Sequence, residues 1–215
     1  AGQGRVLNSD LLDQVRASFA AAGLSENFEI LLTQHEGHLG EAVHSFAEAN
    51  GSNGVVYVAG GDGSLNEAAN AVYGTGCAFG AIPAGTANDF VKTIFGEKRP
   101  PVEKIVNAMP RPEFKLIDLI KLTFPPGVCL YNQLCDPGKL TKYYPSSNSE
   151  DGTFSVLALN VVSFGLDTLV LEKAYELMSR HPKMGGNAYY LSVLNNLGSR
   201  KIYPTNFRLC LSDGY

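Results

Sequence analysis

Residues 60–67 of this chain have the sequence Gly60-Gly61-Asp62-Gly63-Ser64-Leu65-Asn66-Glu67. The apolar run before them, residues 55–59, is typical of a buried strand, and apolar residues at helical spacing follow from Leu65. The stretch is therefore a glycine-rich turn that leaves a strand, carries a carboxylate and opens a helix. We expect its glycines to allow positive φ angles and close approach of a ligand. Because a helix start offers free N–H groups, this turn predicts a phosphate site with an acid beside it.

A second stretch repeats this arrangement, with the sequence Pro83-Ala84-Gly85-Thr86-Ala87-Asn88-Asp89-Phe90. It follows a short apolar strand at residues 78–82 and opens a helix from residue 87 to about residue 95. Thr86 can cap this helix and still offer its hydroxyl to a ligand. Asp89 lies in the first turn, where an acid also stabilises the helix dipole. In a parallel sheet both turns would lie at the carboxyl ends of their strands, where ligands bind.

The first glycine turn differs from two common phosphate-binding patterns. A Walker A loop needs a lysine after its last glycine, and Ser64 follows Gly63. The dinucleotide pattern GxGxxG needs a third glycine where Asn66 stands. An ordinary strand–turn–helix corner is the alternative for this turn taken alone, and the second turn disfavours that alternative.

Hydrophobic periodicity predicts an alternating order of helices and strands in the first part of the chain. The helices are predicted at residues 8–22, 40–49, 65–72, 87–95 and 100–109, and the strands at residues 28–33, 55–59 and 78–82. This order predicts an α/β domain, residues 1–112, in which a parallel sheet has helices on both faces.

The amino-acid composition changes after Pro110-Arg111-Pro112, so we predict a second, β-rich domain at residues 113–215. Its predicted elements are strands at residues 114–123, 153–163 and 202–211 and a helical hairpin at residues 166–179 and 187–197. Residues 125–152 are rich in turn formers and polar residues and predict an insertion loop. A plain surface loop and an element that sets specificity are both open for this insertion.

The composition indicates a globular protein. Of 215 residues, 45% are hydrophobic and 18% are charged, and the longest apolar runs are too short to span a membrane. A net charge of −4 without a basic stripe argues against a nucleic-acid partner. Histidine and cysteine spacings match no zinc pattern. We expect reduced thiols, with a Cys129–Cys135 pair as the alternative.

The two glycine motifs, in this order, resemble the hallmarks of the diacylglycerol kinase catalytic domain family, GGDGTxNE and PxGTxNDF. The only departure in the first motif is Ser64, which keeps the hydroxyl of the usual threonine. The same superfamily contains sphingosine, ceramide and bacterial lipid kinases, with NAD kinases as distant relatives. NAD kinases share GGDGT but lack the GTxNDF element, so they resemble this chain less.

Further segments extend the resemblance over nearly the whole chain. Residues 1–5 are similar to the end of the family's NPxxGxGR loop, and Thr33 with Gly37-His38 is similar to its T-x-x-x-G-H segment. Asp118 resembles an acid on the strand that opens the second lobe, and residues 160–167 are similar to N-x-x-S-x-G-x-D. The family's first strand and the later part of its second lobe have no counterpart here. We therefore expect the chain to be truncated at both ends, with its first strand missing.

The resemblance implies an α/β nucleotide-binding domain followed by part of a β-sandwich lipid-substrate domain. The implied activity is that of an ATP-dependent lipid kinase, which transfers the γ-phosphoryl of ATP to a lipid hydroxyl, with diacylglycerol as the first choice. A sphingoid or other lipid kinase, a NAD kinase and a non-catalytic nucleotide-binding fragment are the alternatives.

The resemblance also implies site residues and cofactors. The implied nucleotide-binding residues are Gly2, Gly4, Thr33, Gly60, Gly61, Asp62, Gly63, Ser64, Asn66, Glu67, Gly85, Thr86 and Asn88. Asp62, Asp89 and Asp118 match acids around Mg²⁺, which prefers carboxylates and water. The resemblance implies Asp62 as the catalytic base, or alternatively a glutamate beyond Tyr215. Asp167 matches a lipid-binding position, and a first-turn helix acid is its alternative.

We expect the partner to be a lipid substrate met by peripheral contact at a membrane surface through the helical hairpin. The expected localisation is cytoplasmic, with transient membrane contact and no nucleic-acid partner. The oligomeric state is open, with a homodimer as one option.

Overall fold

The structure, a computed structural model, describes residues 9–35, 37–85, 87–96, 101–125, 152–163 and 165–197. Its helices are α1 (Ser9–Ala21), α2 (His38–Asn50), α3 (Asp62–Val72), α4 (Asp89–Phe95), α5 (Val102–Ala108), α6 (Leu166–Arg180) and α7 (Asn187–Leu197). Its strands are β1 (Val55–Gly60), β2 (Ala78–Pro83), β3 (Ile120–Phe124) and β4 (Phe154–Ala158). Single 3₁₀ turns lie at Gly51–Asn53 and Pro182–Met184.

Strands β1 and β2 form a parallel pair, and helix α3 connects them. Their register runs from Val55 opposite Ala78 to Gly60 opposite Pro83. A strand, a helix and a parallel strand make the unit on which α/β folds are built. The predicted α/β class with a parallel sheet is therefore confirmed.

Both faces of this parallel pair are covered by helices. On one face Val58 packs in a core with Leu65 of α3 and Val91 of α4, both fully buried. On the other face Tyr57 and Ile82 pack with residues of α1 and α5. Successive side chains of a strand point to opposite faces, so β1 serves both cores. The predicted inner face of α3 is confirmed, since Leu65, Ala68, Ala69 and Val72 are all buried.

Some predicted strands differ from the structure. Residues 28–33 were predicted as a strand and form none; Leu31 and Leu32 are about half exposed, at 51% and 52%. A strand needs a neighbour for its backbone hydrogen bonds, and no described strand pairs with this segment. The strand predicted at residues 114–123 begins only at Ile120 for the same reason: its ladder is limited to the residues that face β4.

Strands β3 and β4 form an antiparallel pair, from Ile120 opposite Ala158 to Phe124 opposite Phe154.

The chain divides into two compact units, residues 1–161 and 162–215, called unit 1 and unit 2. The domain boundary predicted after residue 112 stays a prediction. The predicted β-sandwich is not confirmed: the described part of unit 2 is helical. The predicted insertion and the strand at residues 202–211 lie almost entirely outside the described residues.

Unit 2 contains the predicted helical hairpin, formed by α6 and α7. Small buried residues, Ala174, Ala188 and Ser192, let the two helices approach. The Ser192 hydroxyl donates a hydrogen bond to the carbonyl of Val170 at 2.7 Å. In the part of the chain that the structure describes, no helix combines the length and the apolar character needed to cross a membrane.

Candidate active site

The two glycine turns lie against each other at the carboxyl ends of β1 and β2. The Ala84 N–H donates to the Gly60 carbonyl at 3.0 Å, which extends the pairing of the strands into the turns. A Cβ placed on Gly61 would lie 3.1 Å from the Cα of Gly85, and a Cβ placed on Gly85 would overlap the Cα of Gly61. The backbones of the two turns are therefore in direct contact, which confirms the prediction that both lie at one edge of the sheet.

The glycines serve close approach rather than unusual backbone angles. Gly61 is extended, with φ −96° and ψ −176°, and Gly60, Gly63 and Gly85 also lie outside the left-handed region. The freedom of glycine to adopt positive φ is therefore not used at these four positions. A Cβ on Gly60 would lie 2.6 Å from the Cβ of Ser64, so this glycine lets the start of α3 fold over the end of β1.

Gly63 differs from the other glycines of the two turns. It is exposed in the first turn of α3, and a Cβ there would meet nothing within 4 Å. Packing within the described protein therefore does not require a glycine at this position. A ligand that lies close to the backbone would require one.

The start of α3 offers unpaired backbone donors beside this open surface. The first N–H that bonds back into the helix is that of Leu65, which donates to the Gly61 carbonyl at 3.0 Å. The N–H groups of Asp62, Gly63 and Ser64 therefore have no acceptor within the helix. Gly61, at the N-cap, supplies no side-chain cap. With the positive end of the helix dipole, these donors form an arrangement that binds phosphate.

Asp62 connects the two turns through its carboxylate. Its Oδ1 accepts a hydrogen bond from the Phe90 N–H, in the first turn of α4, at 2.9 Å. The side chain is half-buried, and Phe90 is 5% exposed and stacks on Phe79, with ring centroids 6.1 Å apart. The predicted catalytic acid therefore also caps a helix that belongs to the other turn.

Asn88 holds the second turn in shape. It adopts the left-handed conformation, with φ 52° and ψ 48°, which asparagine tolerates better than most residues. Its Oδ1 accepts from the Gly85 N–H at 2.8 Å, and its Nδ2 donates to the Gly85 carbonyl at 2.6 Å. The residue is fully buried. Its side chain thus stabilises the turn, whereas a direct contact with a nucleotide stays a prediction.

Two further residues of the first motif bind backbone groups of neighbouring elements. Glu67 Oε1 accepts from the Gly40 N–H, in the first turn of α2, at 2.7 Å. Asn66 Oδ1 accepts from the Leu159 N–H, just after β4, at 2.9 Å. The sequence analysis missed Asn70, whose side-chain amide both accepts from the Leu157 N–H and donates to the Leu157 carbonyl. The spacing N-x-x-x-N, which places both amides on one face of α3, is the signal that could have found it.

Residues 1–122 match the family model of the diacylglycerol kinase catalytic domain, which covers more than half of the chain. The chain belongs to the diacylglycerol kinase catalytic domain family. Two relatives from strains of Staphylococcus epidermidis, each named "Putative lipid kinase", are 34% identical over 77 residues. That alignment covers 34% of this chain and 25% of each relative, so the chain spans about a quarter of the length of the curated relatives it matches. No solved structure matches the chain significantly.

The acids that match the magnesium ligands of the diacylglycerol kinase family are not assembled into one cluster. Asp89 is exposed and pairs with Lys92 at 3.0 Å, and Asp118 is exposed ahead of β3. Within the described ranges, no three His, Cys, Asp or Glu side chains are grouped so that they could hold a metal ion. Magnesium at kinase sites is held by one or two carboxylates together with substrate phosphates. Asp62, at the junction of the turns, is suited to be a single carboxylate ligand in a site of that kind.

Of the remaining residues implied by the family, two are exposed and three lie outside the described residues. Thr33 is exposed in the irregular segment before α2. Asp167 is exposed in the first turn of α6, where an acid also favours the helix dipole. Gly2, Gly4 and Thr86 lie outside the described residues.

The two described side chains of unit 1 with raised pKa values lie outside the glycine turns. Burial raises the pKa of the Tyr57 phenol, whose hydroxyl donates to the Met109 carbonyl at 3.4 Å. Burial also raises the pKa of the Cys77 thiol, whose Sγ donates to the Gly54 carbonyl at 3.2 Å. Because a nucleophilic cysteine needs an accessible thiolate, Cys77 is a structural residue.

The contact between the turns predicts that two Gly→Ala substitutions differ in their effect on the free energy of unfolding. In Gly85→Ala the new methyl group would overlap Gly61, so we expect the free energy of unfolding to fall by about 1–3 kcal/mol. In Gly63→Ala the methyl group meets open space, so the change should stay within about 0.5 kcal/mol. Urea denaturation of both variants measures this difference, and equal stability would contradict the direct contact.

Proposed function

We propose that this chain forms the nucleotide-binding part of an ATP-dependent lipid kinase. The observation that carries the proposal is the open backbone at Gly63, at the start of α3, beside two glycine turns in direct contact. Packing explains the glycines at 60, 61 and 85, but it leaves Gly63 unexplained unless a ligand lies there. Membership of the diacylglycerol kinase family and the printed names of the two relatives support a nucleotide as that ligand and a lipid as the acceptor.

Phosphoryl transfer depends mainly on positioning and on neutralisation of charge. In the proposed complex the free N–H groups of Asp62, Gly63 and Ser64 would bind phosphate oxygens of ATP. The dipole of α3 would add partial positive charge at the same place. Bound Mg²⁺ would supply further charge neutralisation at the phosphates, and Asp62 is the residue that would hold it. The contact between the turns keeps this arrangement formed before ATP arrives.

Asp62 would combine a structural and a chemical role. One oxygen, Oδ1, accepts the Phe90 N–H and so fixes the carboxylate at the junction of the turns. A carboxylate has two oxygens and several acceptor sites, so this bond leaves it able to bind a cation or to accept a proton. Both roles, magnesium ligand and general base for the lipid hydroxyl, need its negative charge.

Two substitutions of Asp62 separate these roles. Asp62→Asn keeps an oxygen that accepts the Phe90 N–H, so stability should change little, but the lost charge should lower turnover at least about 100-fold. Asp62→Ala removes the acceptor as well and should cost about 1–3 kcal/mol of stability in addition. Thermal unfolding and lipid phosphorylation by the full-length protein measure the two effects. Normal turnover in Asp62→Asn would show that Asp62 is purely structural.

Gly63→Val tests whether a nucleotide lies on the open backbone of α3. A Cβ at this exposed position meets no atom of the described protein within 4 Å, so the variant should fold, but its side chain would occupy the place of the phosphates. We expect the affinity for a non-hydrolysable ATP analogue to fall at least about tenfold, equivalent to 1.4 kcal/mol. Ala17→Val, at an exposed position of α1, is the matched control and should bind normally. Unchanged affinity in a folded Gly63→Val protein would exclude this site.

For the acceptor, we propose a neutral or weakly polar lipid alcohol, with diacylglycerol first and a sphingoid base second. The GTxNDF element and the names of the relatives favour a lipid over NAD. Helix α7 carries no charged residue and exposes Tyr190 and Leu194, at 75% and 66%. Apolar residues of this kind bind the interface of a membrane without attraction between charges.

Phosphorylation of diacylglycerol in mixed micelles, measured beside phosphorylation of NAD in solution, tests this acceptor. We expect the full-length protein to phosphorylate the lipid and to leave NAD unchanged. Leu194→Asp should raise the apparent KM for the lipid without loss of fold, because the side chain is exposed. Robust phosphorylation of NAD with an inert lipid would overturn the proposal, and ATP binding without any transfer would favour a non-catalytic module.

A further inference from the structure

Asn88 occupies the N-cap position of helix α4, yet its side chain does not cap that helix. Its carbonyl accepts the Lys92 N–H at 3.1 Å, which begins the helical bonding. The side chain of an N-cap asparagine usually accepts from an N–H of the first helical turn, and the Asn88 side chain makes no such bond. Asp62 of α3 supplies it instead, by accepting from the Phe90 N–H. The Asn88 amide is therefore available for a different partner.

That partner is the backbone of Gly85. Asn88 Oδ1 accepts from the Gly85 N–H at 2.8 Å, and Asn88 Nδ2 donates to the Gly85 carbonyl at 2.6 Å. Among the described residues other than glycine, Asn88 alone has a positive φ, at 52°. A backbone of this kind persists where surrounding contacts support it. Both polar groups of Gly85 are thus held by one fully buried side chain.

Gly85 in turn lies against Gly61, the N-cap residue of α3. A Cβ built on Gly85 would overlap the Cα of Gly61 and would lie 3.2 Å from its backbone nitrogen. The position of Gly61 therefore depends on that of Gly85. Directly after Gly61 come the free N–H groups of Asp62, Gly63 and Ser64, where we place the phosphates of ATP.

These contacts close into a ring within unit 1. Asp62 binds the Phe90 N–H, and Phe90 follows Asn88 by two residues along the chain. Asn88 binds Gly85, Gly85 contacts Gly61, and Gly61 precedes Asp62. We call this arrangement the turn ring. Groups that bind a ligand keep a precise geometry when a second set of contacts holds them, and the turn ring is such a set for the start of α3.

We propose that Asn88 is a positioning residue for the phosphates of ATP, and that its side chain is not itself a ligand of the nucleotide. It acts through Gly85 and Gly61 on the free N–H groups at the start of α3. A fully buried amide presents no surface on which a nucleotide could lie. Donors that are already ordered bind phosphate more tightly, because little free energy goes into ordering them. The inference rests on the proposed function, since it needs a phosphate-bearing ligand at α3.

Removal of the Asn88 amide in the full-length protein tests this role. Asn88→Gly removes both bonds to Gly85 and keeps a residue that adopts positive φ freely. We expect the affinity for a non-hydrolysable ATP analogue to fall at least about fivefold, and that for inorganic tripolyphosphate to fall by the same factor. The apparent KM for diacylglycerol in mixed micelles should stay within about twofold. Lower stability alone would reduce the amount of active protein and would leave the affinity of folded molecules unchanged.

Asn70→Ala is the matched control, because Asn70 is also a buried asparagine whose amide binds one backbone residue at both ends. It is 3% exposed, accepts from the Leu157 N–H at 3.0 Å and donates to the Leu157 carbonyl at 2.8 Å. It lies about 12 Å along the axis of α3 from Asp62. We expect Asn70→Ala to lower the melting temperature and to leave the affinity for both phosphate ligands unchanged.

Hydrogen exchange at the Gly85 amide reports on the turn ring directly. It should speed up in Asn88→Gly, which lacks the acceptor, and stay slow in Asn70→Ala. In the wild type, bound tripolyphosphate should slow exchange at the Gly85 and Phe90 amides and leave exchange at Leu157 unchanged. This measurement on the wild type tests the turn ring even if Asn88→Gly does not fold.

Other outcomes would overturn the inference. Normal affinity for both phosphate ligands in a folded Asn88→Gly protein would make Asn88 purely structural. A loss confined to the ATP analogue would make it a ligand of the nucleoside, and an equal loss in Asn70→Ala would reveal a general effect of lower stability. Unchanged exchange at Gly85 in Asn88→Gly, or in the wild type with tripolyphosphate, would show that the turn ring does not act on the phosphate site.

Failure of the proposed function is distinguishable from failure of this inference. A wild-type protein that binds neither the ATP analogue nor tripolyphosphate would overturn the proposed nucleotide site, and the wild-type measurement alone identifies that case.

Discussion

Helix α3 holds its surroundings through side-chain oxygens that accept hydrogen bonds from backbone N–H groups of other elements. Asp62 binds Phe90 at the start of α4, Glu67 binds Gly40 at the start of α2, and Asn66 binds Leu159 after β4. Helix starts and strand edges carry donors that the element itself cannot satisfy, and such donors are costly to bury unpaired. One helix satisfies them for three neighbours, so the arrangement of unit 1 around the glycine turns depends on it.

The same residues carry the sequence pattern of the diacylglycerol kinase family. A motif that predicts a nucleotide site therefore also contains structural hydrogen bonds, and the sequence alone does not separate the predicted role from the structural one. Asp62 is an example: its charge would suit the proposed chemistry, and one of its oxygens caps a neighbouring helix. Gly63 is the clearest exception, since no contact in the described protein explains it. A residue that packing leaves unexplained is a stronger indication of a ligand than a residue with structural partners.

Much of the fold follows from local patterns in the sequence. Periodic apolar residues predicted the described helices, including α3 with Leu65 inward, and the two short apolar runs predicted the parallel pair β1 and β2. The strand predicted at residues 28–33 failed because a strand depends on a partner elsewhere in the chain, which its own residues do not specify. Asn70 was missed for a related reason: its partner, Leu157, is distant in sequence and uses only backbone atoms. The reason for the glycines at 61 and 85 could not be predicted, because the absence of a Cβ serves a contact between the two turns, which no single turn reveals.

The direct contact of Gly61 with Gly85 ties the fluctuations of the two turns together. Neither backbone can shift toward the other, and the bond from Phe90 to Asp62 resists their separation. Regions joined in this way open as one cooperative unit rather than as separate loops. A substitution that pushes one turn away has already displaced the other, so the energetic effects of changes at Gly61 and Gly85 should not add. The two motifs, separate along the chain, thus behave as a single energetic unit, so a change that destabilises one turn also destabilises the other.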